Sequence, residues 1–169
     1  MSRRRAGRRG SIAARNLVAF EVGGVAYAIE IQHVREILRP LPVVVLPHLP
    51  QGVSGVIDHR GDVVPIVDLR DRFGVAKGGT ERELRWVVVT RGARMIALVV
   101  DRVTSVLASE EAESREPPAI GDGQRERGIK SACSFGGRLL FVLDVERIAA
   151  VVDDVALPAS PQALPAERA

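Results

Sequence analysis

At 169 residues the chain is long enough for one substantial core or two small intertwined ones. Its single cysteine, Cys133, excludes an internal disulfide and any paired-thiol metal site. No run approaches the ~20 apolar residues of a membrane span, and Ile12–Ala13–Ala14 is too short for a signal-peptide core, so a cytoplasmic location is expected. The formal charge of +3 is unevenly placed: Arg3, Arg4, Arg5, Arg8, Arg9 and Arg15 occupy residues 1–15 without an acid, which leaves the other 154 residues at −3. Residues 1–15 are expected to be a disordered, solvated Arg-rich tail, open to nucleic acid or another acidic partner.

Apolar residues make up 46% of the chain and aromatics only 4%, so the core must be built from Val, Ile, Leu and Ala. Clustered β-branched residues favour strands. In chain order, Leu17–Val22 and Val25–Ile31 flank Gly23–Gly24 as a hairpin, with Val25, Tyr27, Ile29 and Ile31 on alternate positions. Ile31, Val34, Ile37 and Leu38 then fall at helical spacing, which predicts a short helix ending near Pro40. Val43–Leu46 between Pro42 and Pro47 reads as a short edge strand. Val53–Asp58 and Val63–Val67 form a hairpin about Arg60–Gly61, followed by a helical turn over Leu69–Phe73 and a Gly-rich link at residues 77–80.

The second half opens with Arg85–Thr90 and Arg94–Val100 about Gly92, then Val103, Val106 and Leu107 as a short helical or strand face. Residues 109–127 read as an exposed loop. Ile129–Phe135 and Leu139–Leu143 flank Gly136–Gly137, Val145–Ala150 closes as a helix, and residues 151–169 are expected to be a disordered Ala/Pro-rich tail.

A repeat underlies this order. A shift of 69 residues brings Val18, Phe20, Ile29, Ile31, Val34, Ile37 and Leu38 onto Val87, Val89, Leu98, Val100, Val103, Val106 and Leu107. A shift of 76 brings Gly52, Val53, Ile57, Gly61, Val67 and Asp68 onto Gly128, Ile129, Cys133, Gly137, Leu143 and Asp144. The expected fold is mainly β: one domain over residues 16–150 whose repeated halves, about 17–73 and 84–150, build two small β-barrels, because closing a sheet removes its exposed edges.

Three stretches carry a family resemblance. Residues 29–37, Ile-Glu-Ile-Gln-His-Val-Arg-Glu-Ile, and 55–70, Gly-Val-Ile-Asp-His-Arg-Gly-Asp-Val-Val-Pro-Ile-Val-Asp-Leu-Arg, resemble two signature segments of the CheW family, and residues 98–107 resemble the third. The resemblance spans about residues 17–150. It implies two intertwined five-stranded SH3-like barrels with short helices. It also implies an adaptor that couples methyl-accepting chemoreceptors to the regulatory domain of the histidine kinase CheA at the receptor array, without cofactor or catalysis. The receptor tip would be a helical pair laid into the groove between the barrels, held by apolar anchors. Matched residue by residue, Val34, Glu36 and Arg60 stand at receptor-binding positions, Ile31, Ile37 and Val103 line the same groove, and Val43 and Leu46 stand at kinase-binding positions. One departure precedes Arg60: His59 stands where the family commonly has an aliphatic residue.

Plainer readings accompany each residue. At helical spacing, Val34, Ile37 and Val103 are also what a core would need, and Glu36 and Arg60 are also what an ordinary surface carries. Asp68 and Asp144 precede helical turns, where a carboxylate caps free N–H groups. His33, His48 and His59 have no metal-ligand spacing, and Ser131 and Ser134 no catalytic base nearby. Two alternatives stand beside the coupling role: a CheW-like competitor that binds kinase or receptor without activating, and a basic-tailed nucleic-acid-binding barrel. The second must contend with an acidic body and with few stacking residues, namely Phe20, Tyr27, Phe73, Trp86, Phe135 and Phe141.

Overall fold

A computed structural model describes residues 16–108, 113–115 and 123–165. The Arg-rich segment 1–15 lies outside the described residues. Eleven strands dominate: β1 Leu17–Val22, β2 Val25–Glu30, β3 Val34–Leu38, β4 Val53–His59, β5 Asp62–Asp68, β6 Arg85–Arg91, β7 Arg94–Val100, β8 Arg102–Leu107, β9 Glu113–Arg115, β10 Ile129–Phe135 and β11 Arg138–Leu143. Three α-helical turns, α1 Leu69–Phe73, α2 Gly123–Glu126 and α3 Val145–Ala149, and short 3-10 turns join them among the described residues.

The strands form two sheets, ordered β8-β1-β2-β11-β10-β9 and β3-β6-β7-β5-β4. Apart from the added edge strand β9, the orders are one pattern. Each sheet takes the first hairpin of one repeat and the remaining strands of the other, so the barrels are intertwined and the repeat boundaries are not barrel boundaries. The register follows the same 69-residue shift. Phe20 pairs with Val103 and Ala19 with Ser105 across a bulge, as Val89 pairs with Val34 and Val88 with Glu36. A second bulge recurs after Val53 in β4 and after Ile129 in β10. Asp68 and Asp144 cap α1 and α3, accepting from the backbone N–H of Arg70 and Arg147.

Burial explains the long apolar runs. In β1, Val18, Phe20 and Val22 enter a core shared by both sheets, while Leu17 and Ala19 point into their own barrel. In β6, Val87 and Val89 enter the shared core, while Trp86 and Val88 fill the second barrel. Strands buried on both faces cannot show polar alternation. Each such Val, Leu or Ile contributes about 1.5–3 kcal/mol relative to exposure.

Four expectations need correction. The helix expected over 31–38 is a single 3-10 turn, Ile31–His33, followed by strand β3. Its helical spacing arises because Val34 and Leu38 face inward whereas Ile37 is an exposed apolar residue outside the core. The equivalent Val103–Leu107 stretch, open between helix and strand, is a strand. The loop expected over residues 109–127 carries β9 and α2 among its described residues, and the rest of it lies outside them. Val43–Leu46 forms only one bridge, Val44 to Val56, with reciprocal 2.9 Å bonds, since Pro42 and Pro47 leave no room for a ladder. Beyond residue 150, where a disordered tail is expected, a 3-10 turn over Ala150–Val152 places Val152 in the shared core, joined there by Val155.

Candidate functional site

The second sheet ends in β3 on one side and β4 on the other, and no backbone ladder joins these edges among the described residues. Side chains join them instead. Glu36 sits on β3 just past the bulge, which turns its carboxylate inward and leaves it partly buried. His59, the last residue of β4, is 7% exposed and its Nε2 lies 2.6 Å from Glu36 Oε1. Arg60 opens the β4–β5 turn at a φ of 53°, with Gly61 at 88°, and these positive angles aim its guanidinium back along the edge. Arg60 Nη2 donates to Glu36 Oε2 at 3.3 Å. The His59 hydrogen bond, working against burial and aided to a lesser degree by the nearby Arg60 and Arg35 charges, holds the Glu36 carboxyl below its ordinary range.

Of the residues singled out from the sequence, Glu36 and Arg60 are therefore in direct contact. Ile31 and Ile37 are 40% and 41% exposed, so both present apolar surface to solvent. Val34 and Val103, at equivalent positions of β3 and β8, are partly buried and pack on the rim of the same shared core. Val43 and Leu46 are partly buried in the Pro-bounded segment, with Val43 packed on the second barrel's interior and against Gly55. Two further apolar residues, given no site role in the sequence, are strongly exposed. Val45, between them, is 71% exposed, and Val106, the repeat equivalent of Ile37, is 59% exposed. The shift of 69 residues was the available signal for Val106.

The CheW-like domain family matches residues 16–153, the whole two-barrel body. The chain belongs to the CheW-like family. It is 30% identical over 136 residues to the chemotaxis protein CheW of Rhizobium meliloti, covering 79% of this chain and 86% of that protein. It is 28% identical over 152 residues to CheW of Klebsiella aerogenes, covering 87% and 92%. Among solved structures, the scaffolding protein CheW of Thermoanaerobacter tengcongensis superposes with a TM-score of 0.68 at 22% identity, covering 79% of this chain and 90% of that one. At that identity the likeness speaks for the fold.

Elsewhere in this CheW-like body, several charged groups are paired as struts. Arg102 grips Glu21 with two 2.9 Å bonds and Arg138 adds a third at 3.3 Å, which lowers the Glu21 pKa against the opposing effect of burial. Arg91 ties β6 to Glu146 at 2.7 Å and to Asp153. Cys133 is fully buried, and burial pushes its thiol pKa up, the opposite of an activated nucleophile. Among the described residues no group of three or more His, Cys, Asp or Glu is placed to hold a metal ion. No described helix is long and apolar enough to cross a membrane.

Proposed function

We propose that the chain is a chemosensory adaptor that couples chemoreceptors to a CheA-type histidine kinase by protein–protein binding, without catalysis, in the cytoplasm at the receptor array. The CheW-like match over residues 16–153 carries this reading. The exposed apolar residues support it. Ile31 and Ile37 beside the Glu36–Arg60 pair supply anchors and a charged rim suited to a receptor helix, with Val34 and Val103 as the floor. Val43 and Leu46, with Val45 between them, supply a separate apolar edge suited to the kinase regulatory domain.

Binding to the kinase regulatory domain and to a receptor tip, each measured with the purified chain, tests the proposal. Val43→Asp is expected to weaken the kinase contact at least tenfold with receptor binding retained, since a charge placed in an apolar contact must be desolvated. Indifference of both partners to Val43→Asp and Arg60→Ala would remove these assignments. One observation favours a second reading, a competitor that binds without activating: the buried His59 beside the receptor-facing Glu36, where the family commonly carries an aliphatic residue. Reconstituted kinase activity separates the two, because a competitor binds yet fails to raise it. For the Arg-rich tail, deletion of residues 1–15 should abolish any salt-sensitive nucleic-acid binding and leave kinase binding unchanged.

A further inference from the structure

Apart from the single Val44–Val56 bridge just past β3, the second barrel's β3–β4 seam is closed by side chains, and the first barrel shows the equivalent place without them. By the repeat, Glu36 corresponds to Ser105 and His59 to Phe135. A phenylalanine has no donor for its neighbour, and there the structure holds a cavity of about 250 Å³ lined by Ala19, Ala26, Ser105 and Phe135 and also by the charged Glu21 and Arg138. In the second barrel Val88 and Met95 take the places of Ala19 and Ala26, and the seam is bridged by the 2.6 Å His59–Glu36 bond.

We propose that His59 is a positioning residue: it latches Glu36 across the seam and makes docking at the Glu36–Arg60 face depend on the charge of its imidazole. This rests on the receptor-docking reading of Glu36. The bond uses one of the two carboxylate oxygens, leaving Oε2, which Arg60 approaches at the longer distance of 3.3 Å. A neutral imidazole with its proton on Nε2 still donates to Oε1, whereas an imidazolium donates through a charge-assisted bond about twice as strong. A partner that recruits Glu36 must compete with that bond, so docking strengthens as the imidazole loses its charge.

The charged groups that face the His59–Glu36 bond come from three elements. On β3 the charged neighbours are Arg35 and Glu36 itself, and on the turn Arg60. On the hairpin Asp62 pairs opposite His59, and Asp58 accepts from the Gly61 N–H at 3.0 Å. The β6 residues opposite this part of β3, Val87 and Val88, carry no charge. Histidine alone in this set ordinarily changes charge between pH 5 and 8.

Two measurements test the inference. In proton NMR the wild-type chain should show a downfield Nε2–H resonance of His59 that disappears in Glu36→Gln; its absence from the wild type would overturn the latch. Affinity for a receptor tip, measured from pH 6 to pH 8, should rise roughly twofold to fivefold, the range of a partly exposed ion pair. His59→Leu and His59→Gln should both flatten that profile, with Gln holding near the wild-type value at pH 8. A flat wild-type profile, or a slope that survives in both variants, overturns the gating. If no tip binds at any pH, the receptor reading fails with its consequence for docking, and the NMR signal still judges the latch.

Discussion

Arg70 offers the sharpest test of how the two barrels are held together. It lies at the start of α1, buried, and grips Asp68 through Nε and Nη2 at 2.9 and 2.7 Å. Its third nitrogen, Nη1, is 3.7 Å from Asp101 Oδ1, a buried oxygen that has no hydrogen bond. The other Asp101 oxygen accepts from the Gly23 N–H at 2.7 Å, and the Asp101 N–H donates to Glu21 O at 2.9 Å. One guanidinium thus neutralises two buried carboxylates, one belonging to the second sheet and one clamped to the β1–β2 hairpin of the first.

Replacing Arg70 by Leu leaves both acids buried without a cation, a loss expected to cost about 3–5 kcal/mol. Trp86, the chain's single tryptophan, is buried and reports unfolding by fluorescence. With a urea dependence of about 1–3 kcal/mol per molar, the midpoint should fall by at least ~1 M. In a double-mutant cycle with Asp101→Asn, removing one of the stranded charges should recover about 0.5–3 kcal/mol relative to the sum of the single changes. An Arg70→Leu loss under about 1 kcal/mol, the range of surface substitutions and weak pairs, would refute the strut. Strict additivity in the cycle would refute the Asp101 link alone.

Three further outcomes follow from the same geometry. Gly55→Ala places a Cβ 2.5 Å from Val43 Cγ1 and 2.7 Å from Val44 O, so it should cost about 1–3 kcal/mol in urea unfolding and loosen the Val43–Leu46 segment, weakening the kinase contact proposed for it. The Glu21 pKa is lowered from its ordinary 4.5, chiefly by the Arg102 hydrogen bond, so its stabilisation is complete above about 4.5 and is lost as pH falls through the depressed folded value. Arg102→Ala should reduce that acid-side loss, and an unchanged midpoint between pH 5 and pH 3 in the wild type would contradict it. Cys133 should resist a thiol reagent in the native chain and react once urea unfolds it; rapid native labelling would contradict its burial.

The hairpins, the repeat and the capping aspartates were open to reading from the sequence because each rests on local chemistry: glycines with positive φ, period-two runs, a carboxylate ahead of a turn. The β3 segment misled for an equally definite reason. Its bulge shifts the phase by one residue, and its outward position 37 carries isoleucine, so the apolar spacing imitates a helix. Glu36 and Arg60 were matched through motifs 24 residues apart, but nothing in that spacing indicates that they touch. Their meeting depends on the barrel bringing its first and last strands together. His59 stood out in the sequence as a departure from a pattern, and only the folded seam gives it a partner.

The departures from internal symmetry locate the specialised surface more sharply than the symmetry does. Both barrels share strand order, bulges and caps, so a requirement of folding alone should recur at equivalent positions, as Asp68 and Asp144 do. Glu36, His59 and Arg60 do not recur: their equivalents are Ser105, Phe135 and Gly136, which line a cavity instead. Ile37 and Val106 recur as exposed apolar residues, which no core requirement explains. A polar triad present in one barrel only, beside an apolar residue exposed in both, fits a partner that engages the two barrels unequally: apolar contact on each side, polar registration on one. Transferring the triad, by Ser105→Glu, Phe135→His and Gly136→Arg, should therefore leave the receptor register unchanged or create a second, weaker docking mode. Loss of the original mode in a folded transfer variant would show that the first barrel's cavity itself is required.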